Sequence, residues 1–299
     1  MAYQLDPAIS LERELRRTAH ECLHRALEAV DRISGGSPDE VEEAVHSIRK
    51  RCKEARGLAR LVRPALDKEF RRFNRNVRRA AAELSSIRDA HVVLATFDDI
   101  TTMQPHEDPG FDQVRGGLAI PAERATETIA RGGESIRQTR RLLKKATTCL
   151  DRWEIPDGFD PVAAGLALTY ERGRQGFDNA RSGPTAESLH EWRKAVKNLW
   201  YQSRLLEVAA PSVMSPLIPV LDELSDALGS DHDLAVLIAS LAQGSVVSAT
   251  RPQVELVVTL AAAPQNELQT RAFLLGETVY RETTADFVER VRRDWNTTH

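Results

Sequence analysis

The chain has 299 residues, which is enough for two helical units of about 150 residues each. Hydrophobic residues make up 41% and charged residues 28%, and no apolar stretch approaches the roughly 20 residues that a membrane-spanning helix needs. The first residues lack the apolar core of a signal peptide. Three cysteines without a C-x-x-C pair indicate neither a disulfide scaffold nor a zinc–cysteine site, and they favour a reducing cytoplasm.

The formal net charge of −3 conceals a strong local excess of positive charge. Residues 46–79 contain 13 Lys and Arg against 3 Asp and Glu, whereas the remainder of the chain is acidic. A site for a polyanion is therefore compatible with the composition, provided that it is local. Acidic surroundings would oppose indiscriminate binding of anions.

Helical periodicity dominates the chain from its start. Residues 8–33, 39–62 and 65–97 are predicted helices, 101–110 is a predicted loop, and a fourth helix lies within 111–150, with breaks near 116–121 and 132–133. After a connection at 155–158, helices are predicted at 161–180, 185–209, 213–241 and 252–276, and a short amphipathic piece at 285–295. Eight main helices in two sets of four predict an all-α fold of two four-helix bundles, over residues 1–154 and 155–299.

The two halves share a motif at an offset of 144 residues. Over residues 43–61 the offset gives 7 identities in 19 positions without a gap, and it later aligns Asp89 with Asp233. The register survives a helix–turn–helix span, which chance charge patterning would rarely achieve. We interpret the chain as a duplicated module.

The repeated motif places like charges along one side of a helix in each half. The residues recur at i, i+3, i+4, i+7 and i+14, away from the apolar seam: His46, Arg49, Lys50, Lys53 and Arg60, and then His190, Arg193, Lys194, Lys197 and Arg204. Such rows destabilise an isolated helix slightly, and a bound polyanion would neutralise them. The alternative, a solvated charged surface, does not explain why the residue types repeat.

The third predicted helix strengthens the first half only. Arg72, Arg75 and Arg79 share one of its faces, whereas the corresponding helix of the second half carries acidic residues instead, Asp222, Glu223 and Asp226. Asp89 and Asp233 are expected to pair with and orient basic side chains.

The chain resembles the CHAD family, the conserved-histidine α-helical domain, in both signature helices, EAVHSIRKRCKEARGLARLV and ESLHEWRKAVKNLWYQSRLLE. Further matches are ELSSIRDAHVVL, ALGSDHDLAVL, TYERGR and the C-terminal FLLGETVYRETTADFVERVRRDW. The resemblance implies two pseudo-symmetric four-helix bundles around a basic central groove or channel. It also implies binding of inorganic polyphosphate without known catalysis by the domain.

The resemblance carries over the basic positions as polyphosphate contacts. These are His46, Arg49, Lys50, Lys53, Arg56 and Arg60 in the first half and His190, Arg193, Lys194, Lys197 and Arg204 in the second, with Arg72, Arg75, Arg79, Arg172 and Arg174 as further candidates. Trp200 departs from the pattern, because it stands where the first half has Arg56. This difference and the acidic helix of the second half predict an asymmetric channel.

Several alternatives stay open at this point. His46 and His190 could contact phosphate, cap their helices or share a metal ion. The protein could instead process polyphosphate or triphosphate, or assist an enzyme that does, although no carboxylate cluster for Mg²⁺ and no phosphate-binding glycine loop is present. The protein could also bind nucleic acid, but the basic helix faces lack the interleaved aromatic residues on which bases would stack. A scaffold that docks other proteins is compatible with anion binding. We expect no cofactor, no catalysis, no membrane partner and a cytoplasmic location, with polyphosphate granules as a candidate site.

Overall fold

The fold is all-α over the described part of the chain, as predicted. The computed structural model describes residues 3–102, 109–131, 133–243 and 250–298, which form eleven helices and no strand. In chain order these are α1 Leu11–Ile33, α2 Pro38–Leu61, α3 Arg63–Ala82, α4 Ser85–Thr102, α5 Pro109–Ala130, α6 Glu134–Leu150, α7 Asp160–Ser182, α8 Ala186–Leu206, α9 Pro211–Ala242, α10 Arg251–Val279 and α11 Thr284–Thr298. Among the described residues, no helix is both long and apolar enough to span a bilayer.

The predicted number of eight main helices and an end piece is too low, because two predicted helices are interrupted. The helix predicted over 65–97 ends at Ala82 and restarts at Ser85, whose hydroxyl donates a 2.9 Å hydrogen bond to the Ala82 carbonyl. A serine that satisfies a terminal carbonyl in this way competes with the helical pattern. The corresponding helix of the second half, α9, runs without interruption.

The region between residues 101 and 150 differs from the prediction in detail. Most of the predicted loop at 101–110 lies outside the described residues, as does Gly132. A break does separate α5 from α6, where Gly133 is the N-cap of α6. The break expected near 116–121 is absent, and Pro121 lies inside a continuous α5. The observed break agrees with the predicted one at 132–133.

The two helices that carry the basic rows begin with capping boxes. At α2, the Ser37 hydroxyl accepts from the Glu40 amide, and the Glu40 carboxylate accepts from the Ser37 amide at 2.7 Å. At α8, Thr185 and Ser188 exchange hydrogen bonds in the same manner. Each box satisfies backbone donors that a helix start would otherwise leave free. The capping boxes therefore define the first turns of the two helices that carry the basic rows.

Two apolar clusters hold the helices together, and both halves contribute to each. The larger one joins the apolar faces of helices from α1 to α11, with Trp153 and Trp192 fully buried. The smaller one joins α4, α5, the end of α9 and the start of α10 through residues such as Phe97 and Leu237. Cys22, Cys52 and Cys149 are free and buried. The division at residues 154 and 155, the two-bundle arrangement and the channel stay predictions.

Candidate polyanion-binding site

Helices α2 and α8 cross in close contact at Gly57. A Cβ atom at Gly57 would lie 2.8 Å from Tyr201 Cβ, so the approach depends on glycine. Gln202 also donates a long hydrogen bond of 3.4 Å to the Gly57 carbonyl. Gly57 and Tyr201 are themselves 144 residues apart, so the helices cross at positions that the repeat makes equivalent.

The contacts on either side of the crossing are related to each other by the same offset of 144 residues. Arg60 Nη1 donates to Asn198 Oδ1 at 2.7 Å, and Arg204 Nη1 lies 4.0 Å from Glu54 Oε1. Adding 144 converts Arg60 into Arg204 and Glu54 into Asn198. Each row therefore contains one arginine, Arg60 or Arg204, that reaches the other helix.

Cations from both halves converge on Lys53. We name this group the central basic cluster; its members are Arg49, Lys53, Arg88, Arg193 and Lys197. Although Lys53 reaches solvent, burial of its ammonium group among protein atoms, followed by the charges of Arg49 and Arg193, lowers its pKa from 10.5 to about 8. Lys197 and Arg88 act in the same direction. Like charges are therefore held together against their mutual repulsion.

Carboxylates near the cluster offset only part of this charge. Burial lowers the pKa of Arg49, whereas Asp89 raises it, and Arg49 Nη1 donates to the Ala81 carbonyl at 3.0 Å. Burial raises the pKa of Asp233, and Arg193 acts against that shift. Asp89 and Asp233 thus influence neighbouring basic side chains through their charge, whereas the predicted pairing that would orient those side chains stays a prediction.

The histidines of the two rows lie at the edge of the cluster and favour the neutral form. Burial and then the charge of Arg88 lower the pKa of His46. Burial and then His232 lower the pKa of His190 to about 4, and the two rings stack with centroids 4.2 Å apart. Within the described residues, His190 Nδ1 and Arg193 Nε are buried without a hydrogen-bond partner. Buried polar atoms of this kind also occur in the core, as at Trp153 Nε1 and Ser225 Oγ, so they do not by themselves mark a ligand site.

A second group of arginines continues the row toward the end of α2. Burial, followed by the charges of Arg56, Arg172 and Arg63, lowers the pKa of Arg60 to about 10. Arg56 donates to Asn74 Oδ1 of α3 at 2.9 Å, and burial lowers its pKa, with Arg78 acting in the same direction. Positive charge therefore extends from the cluster toward α3 and α7.

Trp200, which stands where the first half has Arg56, contacts two cations of the second row. The Lys197 ammonium lies 4.8 Å and the Arg204 guanidinium 4.7 Å from the centre of its ring. The aromatic face thus stabilises two cations of the row. Lys197 also lies 3.8 Å from Asp226, so the second half of the cluster is partly neutralised.

Other predicted contacts lie apart from the cluster. Lys50 and Lys194 are exposed on their helices, and Lys194 pairs with Glu191 one turn away. Arg174 lies near Tyr170 and Glu282, on the side of α7 that faces α11. The remaining three, Arg72, Arg75 and Arg79, lie on the exposed side of α3, and Arg72 is 3.4 Å from Glu69.

Sequence reasoning missed Arg63, Arg78 and Arg88, which the structure adds to the basic region. A signal for Arg88 was present, because the offset of 144 aligns it with His232, and each lies beside the histidine of its own half. Among the described residues, no group of three or more His, Cys, Asp or Glu side chains is arranged to hold a metal ion.

Comparisons with known proteins agree with this architecture. The family model of the CHAD domain matches residues 17–242. The crystal structure of the CHAD domain from the plant Ricinus communis is similar over 99% of this chain and 95% of that chain, with 17% sequence identity and a TM-score of 0.56. At that identity the likeness concerns the fold alone. No curated protein matches the sequence.

Proposed function

Because the chain belongs to the CHAD domain family, we propose that it binds inorganic polyphosphate at the central basic cluster without converting it chemically. The convergence on Lys53 of cations from both halves is the observation that carries this proposal. A linear polyanion offers closely spaced negative charges that can meet several cations at once. Its binding would offset the repulsion from Arg49 and Arg193 that, after burial, lowers the pKa of Lys53.

The residue types suit an anion of this kind. Arg49 and Arg193 can each hold two phosphate oxygens with a planar guanidinium, whereas Lys53 and Lys197 supply mobile point charges. Each row spans 15 residues, from His46 to Arg60 in the first half, and its ends are 14 steps or about 21 Å of helix apart. Several consecutive phosphates can therefore contact the rows. Much of the binding free energy would come from counterion release, so affinity would fall steeply with salt.

The neighbouring carboxylates favour binding over catalysis. Phosphoryl transfer commonly uses carboxylates that hold Mg²⁺ beside the phosphates. Here Asp233 lies among the charges of Arg193, Arg88 and Lys53, and Asp89 is the other carboxylate that influences its pKa. A divalent cation at Asp233 would be repelled by these three side chains. We therefore propose a binding module, with targeting of the protein to polyphosphate granules as its consequence.

Nucleic acid fits the site less well. Base stacking needs an accessible aromatic face. Lys197 and Arg204 lie over the Trp200 ring, and Trp192 is fully buried in the core. Phosphates can bind this surface, whereas bases find no exposed ring among these residues.

Lys53→Gln tests the proposal, because it removes a charge that repels its neighbours in the free protein. We expect weaker binding of long-chain polyphosphate together with a higher melting temperature of the unliganded protein. If Lys53 served only to stabilise the fold, its removal would lower the melting temperature. A variant that binds polyphosphate more weakly and yet melts at a higher temperature indicates that repulsion at Lys53 is retained for binding. Arg281→Gln, on an exposed arginine far along the chain, is the matched control and should change neither quantity.

The measurements are a binding titration at several salt concentrations and a thermal melt. Unchanged affinity of Lys53→Gln, or an equal loss in Arg281→Gln, would refute the site. Release of phosphate from the chain by the wild-type protein with Mg²⁺ or Mn²⁺ would refute the absence of catalysis and favour a polyphosphate-processing enzyme.

A further inference from the structure

A second basic surface lies on α6, outside the two rows. The apolar side of α6 is buried through residues such as Ile136 and Leu143. Its opposite side bounds a shallow depression of about 410 Å³, lined by Arg137, Arg140, Arg141, Lys144, Lys145 and Thr148. Five of these six residues are cationic and none is aromatic, and two of the cations form ion pairs, Arg137 with Glu134 and Arg140 with Asp31.

Helix α3 lies between this depression and the central basic cluster. Thr139 of α6 donates a 3.4 Å hydrogen bond to the Ala80 carbonyl of α3, and Asn76 of α3 lies 3.9 Å from the Cys149 sulfur of α6. On its other side α3 contacts α2, where Asn74 accepts the hydrogen bond from Arg56. Helix α3 is therefore packed between α6 and α2.

The exposed side of α3 is itself cationic. Arg71, Arg75 and Arg79 are spaced at i, i+4 and i+8, so their side chains follow one another along α3. Arg78 lies beside them and close enough to Arg56 to influence its pKa. We name the six residues Arg71, Arg75, Arg79, Arg141, Lys144 and Lys145 the outer basic surface.

Carboxylates neutralise little of this surface. Arg71 lies 3.7 Å from Asp67, and no ion pair joins Arg75, Arg79, Arg141 or either lysine to a described carboxylate. Like charges at i and i+4 destabilise a helix by a few tenths of a kcal/mol. A surface that repeats such pairs on two adjacent helices gains from an anion that covers both.

We propose that the outer basic surface binds the part of a long polyphosphate chain that extends beyond the central basic cluster, an inference that rests on the proposed function. Continuity of charge through Arg56 and Arg78 favours the same chain over a separate ligand. The absence of aromatic side chains among these six residues disfavours bases, and Phe70 and Phe73 of α3 are buried. A chain already held in the cluster would reach the outer basic surface at a high effective concentration. Affinity should therefore rise with chain length beyond what the cluster can accommodate.

The test compares two lengths of polyphosphate, one no longer than about 20 Å, the approximate length of a row, and one many times longer. The variant Arg141→Gln/Lys144→Gln/Lys145→Gln is compared with the control Arg124→Gln/Arg251→Gln/Arg281→Gln, which removes the same charge from exposed positions on α5 and beyond. We expect the α6 variant to lower affinity for the long chain about tenfold and the salt slope by about 2, at roughly 0.7 per lost contact. Affinity for the short chain should stay as in the wild type.

Each other outcome overturns one proposal or the other. An unchanged long-chain affinity, or an equal loss in the control variant, overturns the outer basic surface and leaves the cluster intact. A loss confined to RNA or duplex DNA would assign the surface to nucleic acid and would also overturn the inference. Failure of the wild-type protein to bind either polyphosphate would instead overturn the proposed function.

Discussion

Lys53 gives the proposed site a distinctive dependence on pH. Its pKa of about 8 in the free protein means that Lys53 loses its proton far below the usual value of 10.5. A bound polyanion favours the charged ammonium and should return the pKa to its usual range. Binding then takes up one proton between about pH 8 and about pH 10.5, so affinity is fully present below this window and is lost as the pH rises through it.

The size of the loss follows from the two pKa values. Between the free and bound values, the association constant falls by up to about tenfold per pH unit for one linked proton. From about pH 7.5 to about pH 9.5, the affinity of the wild-type protein should therefore fall about 20-fold. Lys53→Arg keeps a positive charge that does not titrate in this range. This variant should bind polyphosphate with little change over the same interval.

Calorimetric titrations in buffers of different ionisation enthalpy would measure affinity and proton uptake together. Lys50→Arg is the control, since Lys50 is exposed one turn from Lys53, and it should retain the alkaline loss. If Lys53→Arg loses affinity at high pH as the wild type does, Lys53 is not the titrating contact and the electrostatic account of the cluster fails.

Two further predictions concern the stability of the fold around the site. Gly57→Ala places a Cβ 2.8 Å from Tyr201 Cβ and should lower the free energy of unfolding by about 1–3 kcal/mol in denaturant unfolding. The control Gly116→Ala meets nothing within 4 Å and should stabilise α5 by up to about 1 kcal/mol. Equal effects of the two substitutions would contradict the close crossing of α2 and α8. His190, with a pKa of about 4, stays neutral where an unfolded histidine is protonated, so stability should fall between about pH 6.5 and about pH 4. Thermal melts of His190→Asn should show a smaller acid-induced loss, and an unchanged loss would assign it to other groups.

Much of the fold was predictable because helical periodicity and terminal signals agree. Gly133 and the capping box at Ser37 mark helix boundaries that a reader of the sequence can find. The break after Ala82 was not predictable from periodicity, since the apolar residues Leu84 and Ile87 continue to be buried across it. The hydroxyl of Ser85 ends the helix locally, and periodicity does not report such a bond.

The candidate site was predictable where the repeat defines it. An offset of 144 identified Lys53 and Lys197 as equivalent, and both contribute to the central basic cluster. The pattern along a helix specifies which residues share a face, but not which neighbouring helix that face meets. Arg79 shares a face with other arginines of α3, yet the face is exposed, whereas Arg88 reaches the cluster from α4. Tertiary packing alone distinguishes these two cases.

Positive charge is distributed unequally on the two sides of the central basic cluster. The offset converts Arg56 into Trp200 and Arg78 into Asp222, and Asp226 lies 3.8 Å from Lys197. Positive charge is therefore dense on the side of α2 and α3 and sparse on the side of α9. A polyanion that leaves the cluster would be attracted toward α3 and repelled from α9. This difference in charge between the two sides would direct the polyanion out of the cluster along α3, and the outer basic surface lies on that side.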